Sequence, residues 1–572
     1  MVDPLTAVPP AVVLLAVAVL VALLPRTPGH ALGFLAAAGA TAWVLVLPAG
    51  QHLAVQFLGF DAVLLNVDAA SRLMGLIFGL IGATAVLYSW ASDAEGVQTG
   101  IALSYVGTSF GAVFAGDWLT MLFFWELMAV TSTILVWHYG GKAVRAGFRY
   151  AVLHGIGGSL LMGGILWHYA EVGSFLFTAS SGIAPGIPAA LAALGIGVNV
   201  GFVGLHTWLP DTYPRPHFAA SVFLCVYTTK TGVYGMYRVF PEGNIFIAYM
   251  GAAMAVFGVF YALLQNDMRR LLSYHIQSQV GYMIAGVGIG TALAQAGAFA
   301  HVFNHILYKS LLFMTAGVII YRTQEENLKK LGGLAREMPI TAVAFTIAAL
   351  SIAGFPGFNG FVSKGMVVSG AKYEHLVAIE YLLLAGGVGT FMSFIKFGYY
   401  AFLKGEYEGS VSDANRGQTV AMLAIAGLCV LYGLYPDALF GLLPGDGASK
   451  ANPFTAFHIA EGFALAAIGL VLFYLTKKPL SKLGRVPDID RVLNPTAFYG
   501  TRTVVRGVTE TYAAVDRAAV AGTRALTKAF RDPAGTLREA GLDFGEEPHL
   551  RAGIGLSVLV LAVVATVAML LL

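Results

Sequence analysis

The chain has 572 residues, of which 57% are hydrophobic and 11% charged, with a formal net charge of +3. A soluble globular protein carries about 25% charged residues, so this chain lacks the polar cover that water demands and reads as a polytopic membrane protein. Two cysteines exclude a disulfide scaffold, the small net charge excludes a nucleic-acid-binding surface, and 69 glycines without a triplet period exclude collagen and fit close helix packing in lipid.

A helix needs about 20 apolar residues to cross the hydrocarbon core, and such stretches recur roughly sixteen times, which gives an all-α protein of about 14–16 transmembrane helices. The first three are predicted near 8–25, 31–48 and 70–90. A dense block follows near 99–115, 118–138, 146–169, 186–207, 218–239 and 244–264. Further spans are predicted near 271–289, 293–320, 338–371 and 376–403, and the last near 418–436, 456–475 and 551–571. The 338–371 stretch is too long for one crossing. Gly354-Phe355-Pro356-Gly357-Phe358-Asn359-Gly360 interrupts it, so it is read as one helix broken in mid-membrane, with two short helices and a loop as the alternative.

The first apolar stretch has no basic leader and no small-residue cleavage pattern after it, so it reads as a retained helix. Basic residues fall in alternate loops: Arg26; Lys142 and Arg145; Arg215; Arg269 and Arg270; Arg322, Lys329, Lys330 and Arg336; Lys404 and Arg416. Lys372 and Lys450 are the main exceptions. The alternation predicts an even number of spans, both termini outside, and the basic loops in the cytoplasm. Residues 476–550 are basic too. Within them Val505, Val508, Tyr512, Val515, Ala519, Leu526 and Phe530 step by three and four to make an apolar stripe, with Arg502, Arg506, Arg517, Arg524, Lys528 and Arg531 outside it. A helix over 498–530 would be roughly 50 Å long. It is too charged to span, and is expected to lie along the cytoplasmic interface or on a partner, held at its far end by the 551–571 anchor.

Ionisable residues within spans are the informative positions, because a charge at the bilayer centre costs about 2.5–3.5 kcal/mol even on lenient scales. Glu126 and Lys230 each stand mid-span; they fit either a structural ion pair or two stations of a path. His301, His305 and Lys309 share one helix face at i, i+4 and i+8. The histidine pair has metal-like spacing but no carboxylate or cysteine on that helix, so no metal is expected. Lys364 follows the glycine-rich break; Lys396 lies near a cytoplasmic helix end, where it either joins the path or snorkels. His206 and Asp211 are placed where a span meets a cytoplasmic loop, either to cap that end or to handle protons. One acid with several lysines and histidines across successive spans suits a proton relay, because such groups change protonation readily once desolvated.

Six ordered motifs resemble one superfamily. They are Phe124-Trp125-Glu126-Leu127, His206-Thr207-Trp208-Leu209-Pro210-Asp211-Thr212-Tyr213-Pro214, Thr229-Lys230, Asn266-Asp267-Met268-Arg269-Arg270-Leu271-Leu272-Ser273-Tyr274, His305-x-x-x-Lys309-Ser310-Leu311-Leu312-Phe313 and Gly360-Phe361-Val362-Ser363-Lys364. Over about residues 60–400 the chain resembles the antiporter-like subunits shared by respiratory complex I and the Mrp-type multisubunit cation/proton antiporters. The resemblance implies two inverted five-helix repeats with broken helices, at 99–239 and 244–403. Around them would lie N-terminal helices over 1–98, C-terminal helices over 404–475, the amphipathic segment 476–550 and the anchor 551–572. It implies that Glu126 modulates a neighbouring lysine, that Lys230 bridges the first half-channel to the centre, that His305 and Lys309 form the central relay, and that Lys364 stands near the outlet. One station departs from the pattern. Asn199 occupies the position, seven residues before His206, where the family carries a lysine, and no other Lys or Arg lies in 186–207.

The resemblance implies a proton-translocating subunit of a multisubunit cation/proton antiporter, most like its D-type subunit, with sodium the expected cation. The alternatives are the homologous pump subunit of a complex-I-like oxidoreductase or membrane-bound hydrogenase, and a structural subunit with an incomplete relay. No cysteine cluster or nucleotide fingerprint occurs, so a redox cofactor is expected only in partner subunits and none in this chain. The expected partners are other membrane subunits, homologous ones among them, with protons, a monovalent cation and the lipid bilayer.

Overall fold

The computed structural model describes residues 6–482, 488–541 and 550–571. It is helical almost throughout. Helices α1 (Pro10–Leu23) and α2 (Arg26–Val46) lead to a β-hairpin, β1 (Gly50–Phe57) and β2 (Phe60–Val67). Then come α3 (Ala69–Ala91), α4 (Gly96–Phe114), α5 (Trp118–Trp137), α6 (Lys142–Val172), α7 (Ile187–Val200), α8 (Trp208–Thr212), α9 (Phe218–Leu224) and α10 (Tyr227–Val239). The central helices are α11 (Ile245–Leu263), α12 (Met268–Ile289), α13 (Ala292–Thr323), α14 (Leu334–Glu337), α15 (Pro339–Ala353), α16 (Asn359–Tyr373) and α17 (Val377–Gly398). They are followed by α18 (Arg416–Leu434), α19 (Asp437–Phe440) and α20 (Ala456–Lys482). A second body holds α21 (Asp490–Arg531), α22 (Pro533–Glu539) and α23 (Leu550–Leu571).

Among the described residues, nine helices are long and apolar enough to cross a membrane, and shorter apolar helices lie at Pro10–Leu23, Ile187–Val200, Pro339–Ala353 and Ser557–Val567. The chain is an all-α polytopic membrane protein. Three of the expected crossings prove discontinuous. The 338–371 stretch breaks as expected: α15 ends at Gly354, whose φ of 84° suits glycine, and α16 restarts at Asn359. The 186–207 stretch, expected as one crossing, is instead a 14-residue α7 stopped by Gly201 at φ 75°, followed by irregular chain and the short α8. The 218–239 stretch, also expected whole, divides at Cys225 and Val226 into α9 and α10.

Each break frees backbone carbonyls that lipid cannot solvate, and a side chain meets one at each. Gln277 Nε2 donates to Gly201 O at 3.0 Å, Lys230 Nζ to Cys225 O at 2.5 Å, and Lys364 Nζ to Ile352 O at 2.7 Å. Asn304 and Asn359 also clamp the break between α15 and α16, Asn304 Nδ2 donating to Asn359 O at 2.9 Å. The long α13 runs through the middle of this body and is buried over its whole central stretch. Helices α11 and α12 touch backbone to backbone: a Cβ on Gly251 would collide with the backbone nitrogen of Ala285, so glycine is required there.

The hairpin was not anticipated from the sequence. Leu58 and Gly59, at φ 51° and 82°, make a two-residue turn, and Phe57 faces Phe60 across it. It is fastened to the helix ends through Asp117, which caps α5 by accepting from Thr120 N and also accepts from Val63 N on β2, both at 2.7 Å. Arg238 of α10 pairs with Asp68, just beyond β2. In the second body, α21 is a 42-residue helix, longer than the expected 498–530 segment. Its Val505, Val508, Tyr512, Val515, Leu526 and Phe530 form the expected stripe and are exposed. Parts of the expected 476–550 segment, 483–487 and 542–549, lie outside the described residues.

Candidate functional site

The apolar centre contains a row of neighbouring polar side chains from three helices. On α16, the Lys364 amine stands 4.8 Å from the centroid of the Tyr282 ring on α12. The Tyr282 ring lies 5.6 Å from that of His301 on α13, and the His301 ring 6.2 Å from that of His305, one turn along. His301 is held from both sides: its Nδ1 bonds Ser363 Oγ at 2.9 Å and its Nε2 meets Tyr308 OH at 3.3 Å. Among the described residues, His305 has no hydrogen-bond partner on either ring nitrogen, and neither has Lys309 Nζ; both side chains are fully buried. Lys230, Lys309 and Lys364 all lie close enough to His305 to act on it electrostatically. The structure therefore gathers Lys230, His301, His305, Lys309 and Lys364, from α10, α13 and α16, around one buried centre.

The breaks put these groups there. Lys230 stands three residues into α10, and its amine reaches back to the Cys225 carbonyl that the break released and to Thr229 Oγ1 at 3.0 Å. Lys364 does the same at the break between α15 and α16. A lysine ammonium has three donors, so one bonded to a carbonyl keeps a donor direction free for water or a second acceptor.

Four expected site residues lie elsewhere. Glu126, on α5, does not pair with Lys230, contrary to that reading: among the described residues its Oε1 makes no hydrogen bond, and it rests against Gly158 of α6, where a Cβ would collide with it. The physical reason is that the Glu126 side chain lies on the α6 side of α5, against Gly158, while the Lys230 amine reaches back to the Cys225 carbonyl. Asn199, at the end of α7, is fully buried with neither side-chain polar atom hydrogen-bonded to a described residue, and packs on Gly232 of α10. His206 is fully buried between α7 and α8, against Phe257 at 4.8 Å and Tyr274 at 6.2 Å, rather than at an outer helix end. Its neighbour Asp211 is taken up by Arg149. Lys396 caps α11, donating to Leu263 O at 2.8 Å and Gln265 O at 2.5 Å.

The family model for the transmembrane region of NADH:quinone oxidoreductase and Mrp antiporters matches residues 115–393, the stretch that holds all of these groups except Lys396. The D-type component of the Na(+)/H(+) antiporter of Alkalihalophilus pseudofirmus is 33% identical over 56% of this chain and 68% of its own length. The chain belongs to this family. As a member of it, the chain is also 30% identical to hydrogenase-4 component B of Escherichia coli, over 68% of this chain and 65% of that protein. The fold is shared with a chain of the membrane-bound sulfane sulfur reductase, an archaeal respiratory membrane complex, at a TM-score of 0.71 and 23% identity over 97% of this chain and 99% of that one. These relatives are components of multisubunit membrane assemblies.

Sequence reasoning in this family member missed two groups. His275, on α12, is fully buried with both ring nitrogens unpartnered among the described residues, in electrostatic reach of Lys309 and Lys364. Its signal was present in the sequence, since Ser273, His275, Gln277, Ser278 and Gln279 make an unusually polar run inside a crossing, and all five are fully buried. The second is a hydroxyl chain beside Lys230: Ser132 Oγ bonds Tyr150 OH at 2.8 Å, Tyr150 OH meets Thr228 Oγ1 at 3.1 Å, and Thr228 Oγ1 bonds Tyr105 OH at 2.6 Å. His154 stacks on Tyr150 with its Nε2 unpartnered among the described residues. Tyrosines and threonines are common in crossings, so no sequence signal singled these out.

Proposed function

We propose that this chain is the proton-translocating membrane subunit of a multisubunit cation/proton antiporter, with sodium the cation, and that protons move through the midplane relay of Lys230, His305, Lys309, His301 and Lys364. The observation that carries the reading is the buried succession Lys364, Tyr282, His301 and His305 with the unpaired Lys309 amine beside it. Buried polar atoms left without partners are costly, and a relay is a reason to retain them. In this reading 99–239 and 244–403 are two inverted repeats that meet at this centre, and Lys364 is the outlet station. The complex sits in the cell membrane with the basic loops and α21 on the cytoplasmic side, in keeping with the charge alternation.

Asn199 bears on the inlet. A neutral amide cannot exchange a proton at physiological pH, though it can hold a water. Protons therefore enter from the His206 side or from an adjoining subunit, and Glu126 has no lysine to modulate. The second reading, a redox-driven pump subunit, is supported by the likeness to the hydrogenase-4 component.

The test uses everted membrane vesicles carrying the assembled complex and a lumenal pH reporter. Added sodium should dissipate an imposed proton gradient, and Lys309→Ala should abolish that response with assembly intact. Full exchange by Lys309→Ala would overturn the relay. Proton movement driven only by an electron donor, and never by sodium, would favour the second reading.

A further inference from the structure

Beyond Lys364, the relay needs a way out, and α20 supplies ionisable groups there. A cavity of about 40 Å³ opens beside the Lys364 side chain and is lined by Tyr282, Gly354, Gly387, His458 and Glu461. A second cavity of about 50 Å³ is lined by Ser369, Tyr373, Lys450, Asn452 and, again, His458. Each has room for at least one water. His458 stands between them. Its Nδ1 bonds Asn452 O at 3.2 Å and its Nε2 meets Ser369 Oγ at 3.3 Å. A carbonyl only accepts, so Nδ1 carries the proton of the neutral ring and Nε2 accepts from the serine hydroxyl.

We infer that His458 and Glu461 of α20 form the outlet of the proton path, taking protons from Lys364 across the first cavity and delivering them through the second to the face that bears Asn452. This deepens the proposed function and rests on it. Lys364 in its ammonium form gives one proton to water in the first cavity, and Glu461 receives it as a carboxylate. Glu461 then passes it to His458 Nε2 as the Ser369 hydroxyl turns to become an acceptor. The imidazolium then turns Nε2 toward the second cavity, which it also lines, releases the Nε2 proton to water there, and returns as the neutral ring with its Nδ1 proton still in place. One proton enters the chain and one leaves. Lys450, which lines the second cavity, and Lys372, whose amine sits 4.2 Å from the Phe457 ring centroid, place positive charge around this exit. That charge favours deprotonation and speeds release to the water outside. The geometry uses a helix beyond residue 393, where the family match ends, so the outlet is a feature of this chain's C-terminal helices rather than of the matched region.

The experiment is sodium-driven proton flux in vesicles carrying the complete complex, comparing Lys364→Ala, Glu461→Gln, His458→Gln and His458→Ala. Losing a proton-transfer group should slow flux by about 10²-fold, so His458→Gln, which keeps a hydrogen-bonding side chain but carries no proton, should fall with Glu461→Gln. Imidazole supplied on the Asn452 side should restore His458→Ala, and supplied only on the opposite side should not. Parental flux in His458→Gln, or no effect of imidazole on an assembled His458→Ala complex, would overturn the outlet. If His458→Ala does not assemble, the His458→Gln flux alone decides. Parental flux in Lys364→Ala would instead overturn the relay itself, so the two failures are distinguishable.

Discussion

Lys396 offers the test that tells a structural lysine from a transporting one. Its amine is buried and donates to the carbonyls of Leu263 and Gln265, where α11 ends, and so ties α17 to the C-terminus of α11. Replacing it with Met keeps the stem's volume but leaves both carbonyls without this donor. Hydrogen bonds from a charged donor are worth about 1.5–3 kcal/mol each. Two of them give about 3–6 kcal/mol, and relief from burying the amine returns part of that, leaving a destabilisation of about 2–4 kcal/mol. Lys396→Met should therefore lower the melting temperature of the purified complex clearly, while sodium-driven flux per assembled complex stays within about twofold of the parent, well short of the loss expected for a relay group. Lys396→Arg, which still offers donors to the two carbonyls, should recover most of the stability. The reasoning is refuted if Lys396→Met melts like the parent yet loses flux as fully as Lys309→Ala, because the amine would then be carrying protons rather than capping a helix.

Lys309→Met should show the opposite pattern: flux is lost, while the complex becomes more stable by about 1–3 kcal/mol, since an unpartnered buried amine is replaced by an apolar side chain. Destabilisation on melting would mean that Lys309 has a structural partner. Glu126→Gln and Gly158→Ala, the second of which pushes a Cβ into the Glu126 carboxylate, should each leave flux nearly unchanged because Asn199 removes the usual partner; equal damage from Glu126→Gln and Lys364→Ala in the same flux assay would show that the first half-channel operates. Gly360→Ala drives a Cβ into the backbone carbonyl of Ser351 across the second break, so it should cost about 1–3 kcal/mol or more by overpacking and displace Lys364, lowering both melting temperature and flux. Purified chain alone in liposomes should give no proton flux above empty vesicles under a sodium gradient, and robust exchange by it would refute the need for partner subunits.

Hydropathy and helical period are local properties, and they settled what is local here. The membrane class, the break around Gly354–Gly360, the clustering of His301, His305 and Lys309 on one face and the stripe of α21 were all legible in the sequence. Asn199 was legible too, as the neutral residue where the family resemblance calls for a lysine. The hairpin was hidden because its strands are apolar and lie between crossings, so hydropathy alone did not separate them from loop. What only the tertiary structure decided is which group each ionisable side chain meets. Lys230 turns to the Cys225 carbonyl instead of Glu126, Lys396 caps α11, and Lys364 shares a cavity with His458 and Glu461 of α20. A lysine amine sits at the end of four flexible carbons and can reach acceptors on several neighbours. The acceptors it finds in lipid are carbonyls released by helix breaks, and these exist at defined places only once the helices have packed.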